Sequence, residues 1–222
     1  MRSLLTADWT NLLVATFEAD KKLLREYIPY KTELNDWNGN YYMSLLGFMF
    51  SRPVIAGIPS PFYRCFEKIN LRFYVRQKSR YGWRNGVVFI NEITPYKLIG
   101  LAAKWLYREN FISLPMKNSF TCNTQEKKTA YYWNTGHDWN YLELVTRPNP
   151  AEPAHYYAYT RQNADKTREF EIEHPTWNIY PAISFDMKLD AATIYGKPFV
   201  DYFKQAPCTS FLMDGSRTNV SF

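Results

Sequence analysis

The strongest constraint on the fold is a strict alternation of apolar and polar side chains in residues 69–76. Ile69, Leu71, Phe73 and Val75 take every second position, and the residues between them are Asn, Arg, Tyr and Arg. Because successive side chains of a β-strand point to opposite faces, this spacing predicts a strand with one apolar face and one polar face.

Similar patterns predict strands along most of the chain. Tyr, Phe and Trp, which strands favour, make up 18% of the residues. We therefore expect an α+β protein that is mainly antiparallel β, with residues 1–222 forming a single domain. The predicted strands besides 69–76 are 11–17, 32–37, 40–50, 87–91, 119–122, 129–133, 140–146, 154–160 and 168–174.

Three helices are predicted from capping residues and apolar faces. Asp and Thr are good N-caps, Pro suits the first helical position, and Gly closes a helix. The predicted helices run from the N-cap Asp20 to the residue before Pro29, from the N-cap Thr94 with Pro95 in first position to Leu106, and from Asp190 to Tyr195 with Gly196 after it.

Pairs of Asn or Asp with Gly predict tight turns between strands, because these residues tolerate a positive φ. Three prolines in residues 53–61 predict a loop, since Pro donates no hydrogen bond to a sheet. Residues 162–165 predict a further hairpin turn. The predicted tight turns are Asn38-Gly39, Asn85-Gly86 and Asp214-Gly215.

Composition excludes a disordered chain and predicts a soluble one. Hydrophobic residues make up 46% and charged residues 22% of the chain, and 27 basic against 21 acidic side chains give a net charge of +6. The longest nearly uncharged apolar stretch, Tyr41–Phe50, is about half the ~20 residues that a membrane helix needs. The first residues show no signal peptide, so we expect a cytoplasmic protein without membrane association.

The cysteines and histidines predict neither a metal site nor a cofactor. Cys65, Cys122 and Cys208 are far apart, and no Cys or His pair has a metal-ligand spacing. We interpret the cysteines as free thiols that are buried or partly buried. Lys and Arg are spread along the chain with no basic run or nucleic-acid module, so we expect no nucleic-acid partner.

Five segments together resemble the YqjF-like family of bacterial proteins of unknown function, which is similar in turn to acetoacetate decarboxylase. The resemblance implies a closed or flattened antiparallel β barrel with a few outer helices, whose interior can hold a small molecule. It also makes a homo-oligomer plausible. The five segments are Trp9–Leu13, Gly39–Phe48, Asn70–Arg76, Gly86–Phe89 and Glu173–Trp177.

The decarboxylase forms a Schiff base through one lysine of a tandem pair, and this chain departs from that pattern. Tyr107-Arg108-Glu109 matches the Gly-Arg-Glu that precedes the pair in the decarboxylase. Without a gap, Pro115 and Met116 occupy the positions of the pair; with a one-residue gap, Met116 and Lys117 do. The resemblance therefore implies that Schiff-base decarboxylation is absent.

The polar face of the predicted strand 69–76 supplies the main candidate binding residues. If this face lines the barrel, Arg72 can clamp a carboxylate or phosphate with two hydrogen bonds while Asn70 orients it. If it faces solvent, the same residues are an ordinary polar surface. Glu92, at the end of the next strand, is a candidate partner of Arg72 across the sheet.

Tyr107 and Lys117 are weaker ligand-binding candidates. His174 lies beside Pro175 and close to Trp177, and an imidazole there can act as an acid or base near neutral pH. The alternatives are a packed, hydrogen-bonded His174, a Trp177 that belongs to the core, and a solvated Lys117.

These residues support a leading hypothesis and two others. The leading hypothesis is a protein that binds a small organic acid or a similar anionic metabolite, with catalysis left open. The second is a non-catalytic binding or sensing module, and the third is an interaction protein that contacts partners through its basic surface.

Overall fold

In a computed structural model, the chain forms a 15-stranded sheet with few helices. The structure describes residues 3–60, 64–80, 82–97, 110–154, 158–163 and 166–221. The strands are β1 Ser3–Ala19, β2 Thr32–Leu34, β3 Tyr41–Ile55, β4 Ile58–Pro59, β5 Cys65–Ser79, β6 Gly82–Thr94, β7 Phe111–Ser113, β8 Met116–Cys122, β9 Lys127–Asn134, β10 Trp139–Thr146, β11 Ala151–Ala154, β12 Ala158–Asn163, β13 Lys166–Glu173, β14 Trp177–Lys188 and β15 Thr209–Ser221.

The prediction of a mainly antiparallel sheet is confirmed, but the prediction of a closed barrel is wrong. The strand order is β1-β3-β5-β6-β12-β13-β15-β14-β10-β9-β8, and β15 also pairs with β1. The sheet thus curls until the last strand reaches the first, and then continues through β14 and β10 to β8 as an open extension. The pairings of β6 with β7 and with β12 are parallel.

The two faces of β5 contact different groups of side chains. Ile69, Leu71, Phe73 and Val75 are completely buried in the main core, as the alternation predicts. Phe66 lies on the other face, within a second group that we call the small cluster. The small cluster consists of Ala7, Leu12, Val14, Leu46, Phe48, Phe50, Phe66, Trp177 and Met213.

A bulge at Asn11 changes which side chains of β1 face each group. Asn11 has φ 52°, a left-handed conformation that Asn tolerates better than most residues. Before it, Ala7 belongs to the small cluster; after it, Leu12 belongs to that cluster and Leu13 to the main core. The pairing of β1 with β3 shifts by one residue here, as expected at a bulge.

Tyr131 on β9 covers this bulge. Its hydroxyl donates a 2.7 Å hydrogen bond to the carbonyl oxygen of Asn11, and its side chain is completely buried. The ring lies against Gly47, where an added Cβ would come within 2.5 Å of the ring carbon Cδ2. The contact therefore ties the open extension of the sheet to β1 and β3.

Asp8 holds β1 between its two neighbours. Its carboxylate forms ion pairs with Arg52 on β3 and, at 3.2 Å, with Arg217 on β15. Asp8 is only 5% exposed, while both arginines reach solvent. A single carboxylate thus joins the first, second and last long strands.

The turn predicted at Asn38-Gly39 is present, with φ values of 52° and 85°. It is closed by the bridge between Trp37 and Asn40. The prediction that the flanking segments form a hairpin is wrong beyond this bridge, because β2 pairs with β5 instead of β3.

Two other predicted turns are wrong, and the predicted loop is partly wrong. Asn85-Gly86 lies inside β6, and Asp214-Gly215 lies inside β15. In residues 53–61, β3 continues to Ile55, and a tight turn at Ala56-Gly57 leads into β4. Gly215 still has φ 79°, so the conformation favoured by Asp-Gly occurs within a strand.

The later strands differ from prediction in two places. The predicted strand 154–160 is two strands, since β11 ends at Ala154 and β12 begins at Ala158. The predicted set lacked β14, Trp177–Lys188, in which large apolar and polar residues alternate irregularly. The hairpin around 162–165 is confirmed by the antiparallel pairing of β12 with β13.

The helices are shorter than predicted. Asp20 caps a helix at Lys21–Arg25 by accepting a 2.7 Å hydrogen bond from the backbone N–H of Lys22. Asp190 similarly caps Ala191–Ile194, and Gly196 follows with φ 96°.

The predicted helix from Thr94 begins later than expected. Thr94 is the last residue of β6, and helical structure begins only at Lys97, so Pro95 precedes the helix. Residues 98–109 of this prediction lie outside the described residues. Two 3₁₀ helices, Lys197–Phe199 and Tyr202–Lys204, complete the helical structure of the described part. None of the helices within the described ranges has the length and apolar character needed to cross a membrane.

We expect Gly215→Ala to destabilise the fold far more than Gly39→Ala. Both glycines have a left-handed φ, which costs about 1–2 kcal/mol for alanine. At Gly215 the new Cβ would also lie 1.9 Å from the carbonyl oxygen of Trp9, whereas at Gly39 it meets nothing within 4 Å. Urea unfolding should show an additional loss of roughly 1–3 kcal/mol for Gly215→Ala. Equal losses for the two variants would contradict the close packing of β15 on β1.

Candidate functional site

The polar face of β5 is buried where it passes the small cluster. Asn70 is 4% exposed and Arg72 9% exposed, whereas Tyr74 and Arg76 farther along the strand are half-buried. The solvent-facing alternative is therefore wrong for Asn70 and Arg72. Phe66 of the small cluster lies on the same face of β5, four residues before Asn70.

Neighbouring strands add further polar side chains to this face. Ser44 on β3 lies opposite Arg72, and Phe89 on β6 lies opposite it on the other side. The Ser44 hydroxyl is 2.8 Å from Thr16 Oγ1 and 2.6 Å from the Tyr74 hydroxyl. We call the whole group the polar strip. Its members are Thr16, Ser44, Lys68, Asn70, Arg72, Tyr74 and Glu92.

Glu92 lies opposite Asn70 and forms an ion pair with Lys68, the residue two positions before Asn70 on β5. A bulge between Leu71 and Arg72 shifts the pairing, so Phe89 lies directly opposite Arg72. The pairing of Glu92 with Arg72 stays a prediction. The side chain of Lys68 is 15% exposed and that of Glu92 5% exposed, so the ion pair is largely shielded from water.

Lys68 is the functional candidate that the sequence reasoning missed. Its ammonium lies 5.0 Å from the ring centre of Phe111, 5.5 Å from that of Phe50 and 5.8 Å from that of Phe48. Aromatic faces stabilise a cation at such distances. The signal in the sequence was its position, since Lys68 continues the alternation of the polar face by one step towards the N-terminus.

Buried oxygen atoms of this region have no hydrogen-bond partner among the described residues. They are Oδ1 of Asn70 and Oγ1 of Thr94, which is completely buried two residues beyond Glu92 on β6. A buried acceptor without a donor costs about 1–3 kcal/mol.

His174 and Trp177 lie together at the start of β14. Their rings stack with centres 3.7 Å apart, and His174 Nδ1 is 2.7 Å from the carbonyl oxygen of Pro175. Because a carbonyl only accepts, Nδ1 carries a proton, which leaves the lone pair of the neutral ring on Nε2. Trp177 belongs to the small cluster and donates a 2.8 Å hydrogen bond from Nε1 to Ser216 Oγ.

Lys117 does not join the polar strip. It is an exposed residue of the edge strand β8, and its ammonium lies 4.3 Å from the ring centre of Trp139 and 5.2 Å from that of Tyr132. Tyr107 lies outside the described residues.

All three cysteines are free, as predicted, but they are exposed, so the prediction that they are buried or partly buried is wrong. Desolvation by neighbouring atoms and the carboxylate of Glu67 raise the pKa of the Cys65 thiol, which disfavours the reactive thiolate. Among the residues that the structure describes, no three His, Cys, Asp or Glu side chains are arranged to hold a metal ion.

A family model for uncharacterised conserved proteins, DUF2071, matches residues 6–213. The chain belongs to the DUF2071 family. It is 29% identical over 116 residues to the uncharacterised protein YqjF of Bacillus subtilis. The match covers 50% of this chain and 44% of YqjF, so the chain spans less than half the length of that relative.

Solved structures resemble this DUF2071 chain in fold. Acetoacetate decarboxylase from Legionella pneumophila superposes with a TM-score of 0.67 at 9% identity, covering 99% of this chain and 87% of the other. The enduracididine biosynthesis enzyme MppR, solved with pyruvate, gives 0.65 at 8% identity, with 99% and 89% covered. An acetoacetate decarboxylase-like enzyme from Sphingomonas wittichii gives 0.64 at 10% identity, with 99% and 91% covered. The family member therefore has an acetoacetate decarboxylase-like fold.

We expect Glu92→Gln to cost about 3–5 kcal/mol of unfolding free energy, because it leaves the ammonium of Lys68 buried without its carboxylate. The matched control is Glu33→Gln. Glu33 on β2 pairs at 2.7 Å with Arg76, which lies on β5 like Lys68. Both side chains of this pair are at least about one-third exposed, so Glu33→Gln should lower the unfolding free energy by less than about 1 kcal/mol.

A double variant, Lys68→Met with Glu92→Leu, should recover most of the loss, since it removes both charges. Chemical denaturation of the three variants and the parent measures these differences. A Glu92→Gln variant as stable as Glu33→Gln would contradict a shielded ion pair.

Proposed function

We propose that this protein binds a small organic acid or a similar anionic metabolite at the polar strip. The observation that carries the proposal is the burial of Arg72 next to Asn70, whose Oδ1 lacks a donor among the described residues. A guanidinium in such a shielded place binds a carboxylate through two parallel, charge-assisted hydrogen bonds.

The charges of the strip favour an anion. Arg72 and Lys68 carry two positive charges and Glu92 one negative charge, so the group has a net charge of +1. Glu92 is bound by Lys68, and the residues directly opposite Arg72 are Ser44 and Phe89, neither of which is charged. Binding an anion at Arg72 makes the strip neutral.

The fold comparison supports a small molecule as the ligand. The similar enzyme MppR was solved with pyruvate, a small carboxylate, and this chain shares its fold at 8% identity. The reaction of the decarboxylase does not carry over to this chain, because no tandem lysine pair stands at the positions that match its motif. Lys68 pairs with Glu92, and an ammonium in an ion pair has no lone pair with which to attack a carbonyl. We therefore propose binding without Schiff-base decarboxylation.

The proposal predicts that Arg72→Ala removes ligand binding while Arg76→Ala keeps it. Arg76 is a matched control, since it lies on the same face of β5 but pairs with Glu33 outside the strip. The measurement is thermal unfolding at fixed salt with short carboxylic, hydroxy and keto acids. At about a hundred times the dissociation constant, a ligand should raise the midpoint by roughly 5–10 °C.

Two results would contradict this proposal. One is an acid-induced shift that survives Arg72→Ala in a variant that unfolds cooperatively. The other is a shift with oligonucleotides that falls steeply with salt and no shift with any acid, which would favour an interaction protein with a basic surface.

A second experiment separates an enzyme from a non-catalytic binding module. If His174 serves as acid or base, His174→Gln should stop turnover of the acid found in the screen and leave its binding unchanged. NMR of the acid incubated with each protein measures the conversion. Binding without conversion by the unmodified protein would favour the non-catalytic module.

A further inference from the structure

The acceptor atoms beside Arg72 restrict the kind of acid that fits the polar strip. Asn70 lies two residues before Arg72, so their Cα atoms are about 6.6 Å apart along the strand. Directly across from Asn70 lies Glu92, whose carboxylate only accepts hydrogen bonds. A small acid whose carboxylate binds the Arg72 guanidinium thus has the groups on its neighbouring carbon atoms near Asn70 and Glu92.

Asn70 Oδ1 needs a donor. It is a hydrogen-bond acceptor on a side chain that is 96% buried, and no described residue donates to it. A carboxylate or a keto oxygen offers only acceptors, so either would leave Oδ1 unsatisfied. A hydroxyl group donates one hydrogen bond and satisfies it.

We propose that the preferred ligands are hydroxy acids, in which an O–H group close to the carboxylate donates to Asn70. This inference rests on the proposed function, because it assumes that the carboxylate binds Arg72. It makes Asn70 the specificity-determining residue of the strip. It also separates this site from that of the similar enzyme MppR, whose structure contains the keto acid pyruvate.

The test compares acids with the same carbon skeleton. Titration calorimetry or thermal unfolding is carried out with lactate, pyruvate and propionate, and then with 3-hydroxybutyrate, acetoacetate and butyrate. A satisfied buried acceptor is worth enough that the hydroxy acid should bind about 3- to 10-fold more tightly than either partner in its set. If the ligand hydroxyl is hydrated in water but donates to no atom of the site, the hydroxy acid should bind no more tightly than the other two acids of its set.

Asn70→Leu should abolish this preference, so that the three acids of each set bind within about twofold of one another. Because the substitution removes a buried acceptor that lacks a donor, the variant should still unfold cooperatively. Asn91→Leu is the matched control: its Oδ1 also has no partner among the described residues, but Asn91 lies opposite Leu71 and so points to the other face of the sheet. This control should keep the preference.

The outcomes distinguish this inference from the proposed function. Acids that bind in an Arg72-dependent way, with the keto acid or the plain acid equal to or tighter than the hydroxy acid, overturn the inference and leave the function in place. A preference that persists in Asn70→Leu also overturns it. If none of the six acids binds, both are overturned. Because the ligand series uses the unmodified protein, the result does not depend on the folding of a variant.

Discussion

The left-handed residue Asn11 determines how the two halves of β1 face the rest of the protein. Without the bulge at this position, Leu12 and Val14 would point away from the small cluster, and Leu13 would leave the main core. The carbonyl oxygen of Asn11 accepts the hydroxyl of Tyr131, which packs on Gly47 because no Cβ is there. The bulge therefore also fixes where the open extension of the sheet meets β1 and β3.

The same pairing of strands explains how polar side chains come to be buried. β1, β3, β5 and β6 follow one another in the sheet, so Thr16, Ser44, Arg72 and Glu92 come from four adjacent strands. Since the sheet curls until β15 reaches β1, the face that carries them is shielded along with the small cluster. The cost of burying Lys68 and Glu92 is offset by their ion pair and by three aromatic rings. A site for a charged ligand can thus exist within a sheet whose other contacts are largely apolar.

Local patterns in the sequence predicted the strands well and their partners poorly. The alternation in 69–76 identified β5 and its buried face, and Asp20 and Asp190 identified two helix caps, because these signals depend on neighbouring residues alone. Asp214-Gly215 was misread because a positive φ also occurs within a strand, here where Gly215 packs against Trp9 with no room for a Cβ. Asn70 and Arg72 were found from the polar face. Lys68 was missed because its environment is made by Phe48, Phe50 and Phe111, which come from two other strands.

The polar strip shows why a shared fold does not transfer a reaction. At 8–10% identity, the decarboxylase-like structures and this chain agree in the course of the backbone. The amine in the strip comes from β5, where it is held by a carboxylate on β6, whereas the lysine nearest the decarboxylase motif, Lys117, lies exposed on β8 against Trp139. The electrostatics of the site follow from the side chains that β5 and β6 place opposite each other. The binding mode that we propose uses an acceptor without a donor beside a buried guanidinium, and it does not require a nucleophilic amine.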